Sequence, residues 1–353
     1  MVNEFDVKKS FLKPPFHGNC VFVASILIAL VLGYFLHTLF DATILKNSAL
    51  TAGGAIREND PEYKMIKPLL LCSEKTNLYQ DTELHSELKQ YIDNKISDGK
   101  ASDVSVYFKD LNSGAWMGVN ENDKYSPASL LKVAIMLGYL KIAENEPSIL
   151  TKEALFDTKE NLNQSEYFVS STTLQYGKTY TFADLIERMI EHSDNNAMAV
   201  LESFEENSPF NEVYADLGLP PPPDETNAAR VDYISARLYA SFFRVLYNAT
   251  YLSRDLSNKA LELLSQTHFD EGLAGGIPKG VTVAHKFGER TLEQGGGIKF
   301  RELHDCGIVY KDGSPYIICV MTKGSGSFAE LSDIIKSISK MAYEKAGIKN
   351  DAL

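Results

Sequence analysis

The chain has 353 residues, enough for one large domain or two small ones, and carries a formal net charge of −12 at neutral pH. Hydrophobic residues make up 44% of it and charged residues 23%, which is ordinary for a globular protein. The acidic balance and the lack of a basic run argue against nucleic acid as a partner.

An apolar segment near the N-terminus predicts a membrane anchor. Residues 20–40 contain no acidic or basic side chain except His37, and their length is sufficient to cross the hydrocarbon core as a helix. A cleaved signal would have a shorter apolar region, so an uncleaved anchor is favoured. Lys8, Lys9 and Lys13 precede the segment, and the positive-inside rule places residues 1–19 in the cytoplasm. The rest of the chain is therefore expected outside the cytoplasm.

Residues 41–75 are expected to form a stalk, because turn-forming residues are frequent there and periodicity is weak. The catalytic domain is expected to span residues 76–349 and to begin with a helix from about Asp81 to Ile96. The apolar residues of one face of this helix are Leu84, Leu88, Tyr91, Ile92 and Ile96.

A hairpin and a long helix come next. Residues 104–108 alternate like a strand, residues 110–114 form a turn and residues 115–120 form a second strand. The sequence Ser129-Leu-Leu-Lys132 then opens an apolar helix over residues 130–140. Positions i and i+3 share a helix face, so the Ser129 hydroxyl is expected beside the Lys132 amine. A lysine whose pKa is lowered by burial can act as a base towards such a hydroxyl.

Two further motifs complete the pattern. Ser193-Asp194-Asn195 follows a helix that has Thr181 as its expected N-cap and Asp184 in its first turn. Another helical run begins directly after it, so this motif is expected in a break between two helices. Lys286-Phe287-Gly288 lies at the end of an alternating strand over residues 281–288, which is expected to stop at the glycine.

These motifs, in this order, resemble the S-x-x-K, S-D-N and K-T-G elements of penicillin-recognising serine enzymes. The stretch from Ser102 to Ala346 resembles class A β-lactamases and low-molecular-mass penicillin-binding proteins. The resemblance implies an α/β fold of the β-lactamase/transpeptidase type. Its antiparallel sheet is flanked by the terminal helices and joined to an all-α subdomain, and here one transmembrane helix precedes it.

The resemblance also implies roles for individual residues and no cofactor or metal. Ser129 is the expected nucleophile, Lys132 helps to accept its proton, and Ser193 relays a proton to the departing nitrogen. The residues expected to bind substrate are Asn195, Lys286, Gly288 and, through its backbone N–H, Glu289. The N–H groups of Ser129 and Glu289 would form the oxyanion hole. Gly288 is expected because a side chain there would crowd a substrate lying along the strand.

Two departures from the family pattern bear on activity. Phe287 replaces the Thr or Ser hydroxyl that usually binds the substrate carboxylate. The Glu-x-x-Leu-Asn motif of the family's deacylating loop is missing from residues 217–234, where four consecutive prolines occur. The acids of this region, Asp224, Glu225 and Asp232, are interpreted as solvated loop residues. An acyl-enzyme formed without a positioned base is expected to persist.

The cysteines and histidines give weaker indications. The sequence leaves open a Cys72–Cys306 disulfide, and Cys319 is expected to be a small buried side chain. His192 and His285, which adjoin the motifs, are interpreted as structural. No zinc-type spacing is visible among the scattered histidines.

Two functions of different classes are compatible with this sequence. The first is an extracytoplasmic serine hydrolase that forms an acyl-enzyme on a β-lactam or on a D-Ala-type peptide of peptidoglycan. The alternative is a non-catalytic module that binds or organises the cell wall and keeps the fold. The complete set of nucleophile and lysines favours the enzyme, whereas Phe287 favours the module.

Overall fold

The structure is a computed structural model that describes residues 55–72, 82–170, 172–204, 209–221, 231–294 and 297–347. All of these residues belong to one compact unit. The helices and strands are, in chain order, β1 (Ala55–Arg57), β2 (Leu69–Cys72), α1 (Thr82–Ser97), β3 (Asp103–Asp110), β4 (Trp116–Val119), α2 (Leu131–Asn145), β5 (Glu153–Leu155), β6 (Thr179–Thr181), α3 (Phe182–Glu191), α4 (Asn195–Glu202), α5 (Pro209–Asp216), α6 (Ala236–Tyr247), α7 (Arg254–Ser265), β7 (Val283–Gln294), β8 (Gly297–Val309), β9 (Tyr316–Gly324) and α8 (Phe328–Lys345).

A five-stranded antiparallel sheet in the order β4-β3-β9-β8-β7 forms the centre of the fold. The terminal helices α1 and α8 share one hydrophobic core with it, and Lys345 of α8 forms an ion pair with Glu83 of α1 at 2.8 Å. The apolar residues buried between these helices are Leu84, Leu88, Ile92, Ile334, Ile335 and Ile338. The expected antiparallel sheet with flanking terminal helices is therefore confirmed.

Helices α2 to α7 lie between β4 and β7 in the chain and form the expected helical part of the domain. Thr181 and Asp184 make a capping box at the start of α3: the Thr181 hydroxyl accepts from the Asp184 N–H, and the Asp184 carboxylate accepts from the Thr181 N–H. This cap fixes the direction in which α3 enters the domain, and hence where the chain emerges at Ser193.

Strand β7 is longer than the sequence predicts. It continues past Gly288 to Gln294 and pairs throughout with β8, for example Glu289 with Leu303 and Thr291 with Arg301. Glycine often ends a strand, but pairing with β8 stabilises the extended backbone beyond Gly288. The prediction that the strand stops there was wrong.

Part of the predicted stalk packs on the domain. Strands β1 and β2 form an antiparallel ribbon. The Arg57 guanidinium donates to the Lys67 carbonyl at 2.8 Å and to Asn248 Oδ1 at 2.6 Å. The Lys67 N–H donates to the Tyr247 carbonyl at 2.9 Å. Residues 55–72 are thus joined to the end of α6 by hydrogen bonds, which agrees with the apolar character of residues 67–72 and corrects the expectation of a stalk for residues 55–66.

A disulfide joins Cys306 to Cys319, which are direct neighbours on β8 and β9. The sequence left a Cys72–Cys306 pair open and treated Cys319 as a free side chain. Strand register decides the matter, because it brings Cys306 and Cys319 opposite each other in the buried part of the sheet.

No helix within the described residues is both long and apolar enough to cross a membrane. The predicted anchor at residues 20–40 and the predicted cytoplasmic tail at residues 1–19 lie outside the described residues.

Candidate active site

The turn that carries Ser129 enters directly into helix α2. Residues Ala128–Leu130 form a single 3₁₀ turn in which the Leu130 N–H donates to the Pro127 carbonyl at 2.9 Å. Ala128 has a φ of 46°, a left-handed conformation that is uncommon for a side chain other than glycine and often occurs at functional sites. Ala128 and Leu130, the neighbours of Ser129, are buried. Ser129 itself is partly exposed and lines a cavity. The hydroxyl is therefore accessible at the N-terminus of a helix.

Lys132 is completely buried, and its ammonium group is held by the S-D-N loop. Its Nζ donates to the Ser193 carbonyl at 2.6 Å, to Asn195 Oδ1 at 2.6 Å and to Ser193 Oγ at 3.1 Å. Within the described part of the chain, Ser129 Oγ is not a partner of Lys132. Burial lowers the pKa of Lys132 to about 8, against the opposing negative charges of Glu166 and Asp194. A lysine with this pKa is partly neutral near physiological pH.

Lys286 approaches the same hydroxyl from the sheet. It is also fully buried, and its Nζ donates to Ser193 Oγ at 2.9 Å and to the Phe287 carbonyl at 3.1 Å. Burial, together with the charge of Lys132, holds the pKa of Lys286 well below its usual range. Ser193 Oγ thus accepts from two lysines that come from a helix and from a strand.

The S-D-N loop occupies the break between α3 and α4, as the sequence predicts. Ser193 has a φ of 55°, and the buried Asp194 caps α4 by accepting from the Asn196 N–H at 2.8 Å. Asn163 holds the loop from outside: its Nδ2 donates to Asp194 Oδ1 at 2.8 Å, and its Oδ1 accepts from the Asn195 N–H at 2.7 Å. Sequence reasoning missed Asn163, because it lies about thirty residues before the motif and matches no pattern.

Gly288 allows strand β7 to pass directly beside the turn that carries Ser129. A Cβ atom at this position would lie 2.8 Å from the Pro127 carbonyl oxygen and 3.0 Å from the backbone nitrogens of Ser129 and Leu130. The constraint on Gly288 is therefore contact with the protein backbone, where the sequence pointed to contact with a substrate. Because Glu289 follows Gly288, this close approach places the backbones of Ser129 and Glu289 on adjacent segments. The expected oxyanion hole requires that arrangement.

A loop that we call the covering segment, residues 161–170, lies against Glu289. The Glu289 carboxylate accepts from the backbone N–H groups of Phe168 at 2.8 Å and Tyr167 at 3.1 Å. Asn195 Nδ2 donates to Glu166 Oε1 at 2.8 Å. Burial raises the pKa of the Glu289 carboxyl to about 7, the charge of Glu166 adds to this, and the hydrogen bond from Phe168 opposes it. The sequence assigned Glu289 only a backbone role and did not indicate Glu166.

The cavity at this site is narrow, and a water-sized molecule can occupy only about 10 Å³ of it. Its lining residues are Ser129, Asn163, Glu166, Phe168, Ser170, His192, Ser193, Phe287 and Glu289. Phe287 stacks on Phe269 with ring centroids 4.0 Å apart and contacts Phe168 edge-on. An aromatic wall therefore stands where the related motif has a hydroxyl.

Of the three acids in the proline-rich region, the structure describes only Asp232. Asp232 pairs with Lys323 at 2.6 Å and with Arg290 at 3.2 Å, so it is neither a free base nor simply a solvated loop residue. Asp224 and Glu225 lie outside the described residues.

The two histidines beside the motifs have different surroundings. His285 is buried with its Nδ1 at 2.8 Å from Asp305, which also accepts from the Leu273 N–H, and its structural role is confirmed. His192 lines the cavity instead, and its ring lies on that of His268 with centroids 4.5 Å apart. Glu191 completes a group of side chains with the donor types that could hold a metal ion.

Comparison with known proteins agrees with this geometry. Residues 87–346 match the β-lactamase enzyme family, which is most of the chain, so the chain belongs to that family. Among solved structures it is similar to PBP-A, with 22% identity, a TM-score of 0.61 and coverage of 75% of this chain and 96% of that one. A mutant of PBP-A is known as its acyl-enzyme complex with penicillin-G.

Two β-lactamases give equivalent matches. The TLA-1 extended-spectrum enzyme is 21% identical with a TM-score of 0.62, and an enzyme from Chitinophaga pinensis is 20% identical with a TM-score of 0.62. Each match covers 73% of this chain and 98% of the other. No curated protein sequence matches the chain. These likenesses establish the β-lactamase/transpeptidase fold.

Substitution of Gly288 by alanine tests the close approach of β7. We expect Gly288→Ala to lower the thermal midpoint of the full-length protein, because overpacking of a tightly packed region typically costs about 1–3 kcal/mol. Circular dichroism during heating measures this. Gly297→Ala is the matched control, since a Cβ there meets no atom within 4 Å. Equal midpoints for the two variants would contradict the account.

Proposed function

We propose that this protein is a serine acyl-transfer enzyme that forms an acyl-enzyme through Ser129 on a β-lactam or a D-Ala-type peptidoglycan amide. The observation that carries the proposal is the convergence of Lys132 and Lys286 on Ser193 Oγ, in a cavity that Ser129 also lines. A module that only binds the cell wall has no need of two buried lysines around one hydroxyl.

In the proposed acylation, Ser129 Oγ attacks the substrate carbonyl carbon and forms an ester bond. The hydroxyl proton passes to the neutral form of Lys132, whose lowered pKa makes that form available. Hydrogen bonds of a catalytic base often tighten only in the substrate complex, and Lys132 would exchange a present partner for Ser129. The backbone N–H groups of Ser129 and Glu289 would stabilise the oxyanion.

Cleavage of the amide then requires a proton on the departing nitrogen. Ser193 would donate its hydroxyl proton as the C–N bond breaks, and the Lys132 ammonium at 3.1 Å would replace that proton. Lys132 thereby returns to its neutral form, so the proton count balances. Lys286, at 2.9 Å from the same oxygen, would supply positive potential for the substrate carboxylate.

Substrate entry requires changes at the covering segment. Asn195, the expected partner of the substrate amide, already donates to Glu166. Pockets for drug-sized ligands usually have volumes of about 300–1,000 Å³, whereas a water-sized molecule can occupy only about 10 Å³ of this cavity. Displacement of Glu166 from Asn195 would provide both a hydrogen-bond donor and space.

Hydrolysis of the acyl-enzyme is proposed to be slow. The deacylating motif of the family is missing from residues 217–234, and Asp232 is engaged by Arg290 and Lys323. A long-lived acyl-enzyme is the behaviour of a penicillin-binding peptidase, and it would need an acyl acceptor other than a well-positioned water. PBP-A, which shares the fold, has been captured in that state as a mutant.

We also propose that the domain is held outside the cytoplasm by an anchor at residues 20–40, with residues 1–19 on the cytoplasmic side. The uncharged run and the lysines before it support this topology. Such a placement would give the enzyme access to peptidoglycan.

Capture by a fluorescent penicillin tests the nucleophile. We expect the full-length protein to be labelled and Ser129→Ala to give no label, because Ser129 occupies the nucleophile position of the S-x-x-K motif and lines the cavity. Mass spectrometry of the peptide locates the adduct. Ser265→Ala, on the exposed end of α7, should label normally. Equal labelling of Ser129→Ala would show that the assignment is wrong.

The rate of labelling should rise with pH. Neutral Lys132 is the proposed base and its pKa is about 8, so the rate should increase ~fiftyfold between about pH 6 and pH 8 and level off about twofold higher above that pH. The amount of labelled protein in samples quenched at successive times gives the rate at each pH. Because the Glu289 carboxyl titrates near 7, Glu289→Gln serves as the control. If that variant loses the rise, Lys132 is not its source.

Turnover should show a burst. Mixing the protein with a chromogenic β-lactam is expected to release at most about one equivalent of product rapidly and then little more, because a positioned carboxylate base contributes about two to four orders of magnitude. Absorbance against time measures both phases. Rapid sustained turnover would contradict the proposed lack of a base, and Glu166→Gln and Asp232→Asn would then identify the group responsible.

Protease treatment of intact cells tests the topology. We expect an added protease to cleave the chain beyond residue 41 and to leave the N-terminal tail protected, because the positive-inside rule keeps that tail in the cytoplasm. Antibodies to each end report the outcome. Protection of the domain with cleavage of the N-terminus would reverse the proposed orientation.

A further inference from the structure

Three side chains with metal-ligand chemistry meet beside the active-site cavity, and one of them, His192, lines it. A ligand atom from each of Glu191, His192 and His268 lies within 4.8 Å of those of the other two. The His268 N–H also donates to the Glu191 carbonyl at 2.8 Å, which fixes the segment after α7 to the end of α3. The backbone thus holds His268 beside the consecutive residues Glu191 and His192, although His268 comes from a distant part of the chain.

These side chains are free to bind a ligand. Among the described residues, no hydrogen bond or ion pair engages the Glu191 carboxylate or either imidazole. The two imidazole rings contact each other in a tilted arrangement, with centroids 4.5 Å apart. Glu191 and His192 are partly buried, and polar groups that are partly buried without partners gain most from a ligand that satisfies them.

The charges around the cluster are mixed, because the carboxylates of Asp194 and Glu187 and the guanidinium of Arg188 all act on His192. Burial lowers the pKa of the His192 imidazole, and the neighbouring His268 and Arg188 add to this. Neutral imidazole is the form that binds metals. Burial raises the pKa of the Glu191 carboxyl, the charge of Glu187 adds to this and His268 opposes it, so a bound cation would favour the ionised carboxylate.

We propose that Glu191, His192 and His268 bind one divalent transition-metal ion of the Zn²⁺ type. Two imidazole nitrogens with one carboxylate oxygen are a donor set for Zn²⁺, Co²⁺ or Ni²⁺, whereas Mg²⁺ and Ca²⁺ prefer oxygen donors alone. Three protein ligands leave a coordination position for water or another small ligand.

The site is adjacent to the catalytic groups and distinct from them. His192 directly precedes Ser193 and lines the same cavity as Ser129. An ion at this position would join the start of the S-D-N loop to His268 and would add positive charge beside the cavity. The proposal rests on the three side chains alone, so it stands whether or not Ser129 is acylated by a penicillin.

Calorimetric titration of the untagged full-length protein, stripped of metal with a chelator, tests the site with Zn²⁺ alone. We expect one equivalent to bind, and an excess of Mg²⁺ not to compete. Substitution of a ligand should weaken binding at least about tenfold, so we expect this of both His268→Gln and Glu191→Gln. His85→Gln, which changes a histidine on α1, is the matched control and should bind normally.

A second measurement separates loss of the site from loss of the fold. Co²⁺ bound to the unsubstituted protein should give visible absorption typical of nitrogen and oxygen ligands in a low-coordinate site. That absorption should disappear in His268→Gln while its melting curve without metal stays unchanged. Failure of the unsubstituted protein to bind one equivalent of Zn²⁺, or undiminished binding by both ligand variants, overturns the proposal.

Discussion

The burial of two lysines around one serine hydroxyl is the constraint on which this structure depends. A buried ammonium group is costly unless hydrogen-bond acceptors surround it. Lys132 finds its acceptors in the Ser193 carbonyl and Asn195, and Lys286 finds one in Ser193 Oγ. Helix α2, the S-D-N loop and strand β7 must therefore meet at one point, and the surrounding fold holds them there.

The same constraint accounts for local features that are unfavourable in isolation. The left-handed conformation of Ser193 turns its carbonyl and hydroxyl towards the lysines, and Asp194 and Asn163 stabilise that turn. Gly288 lets β7 come close enough for Lys286 to reach the loop. Burial lowers the pKa of Lys132 and raises that of Glu289. The same desolvation that is unfavourable for the charged groups therefore brings both pKa values close to neutral pH.

Local patterns predicted much of this arrangement. The hairpin of β3 and β4, the cap of α3 at Thr181 and the break at Ser193 depend on interactions between residues close in sequence, and all three are present. Local patterns did not predict the extension of β7 past Gly288 or the hydrogen bonds between residues 55–72 and the end of α6. Both depend on pairing with segments distant in the chain.

The sequence by itself determined the three motifs, their order and the elements that carry them, because helix faces, caps and strand alternation are local properties. Only the tertiary structure decided which distant groups meet: Glu289 with the covering segment, Asp232 with Lys323, Cys306 with Cys319, and Glu191 and His192 with His268. Such pairs are set by strand register and by the packing of helices against the sheet. A change of one residue in register would separate them without altering any motif.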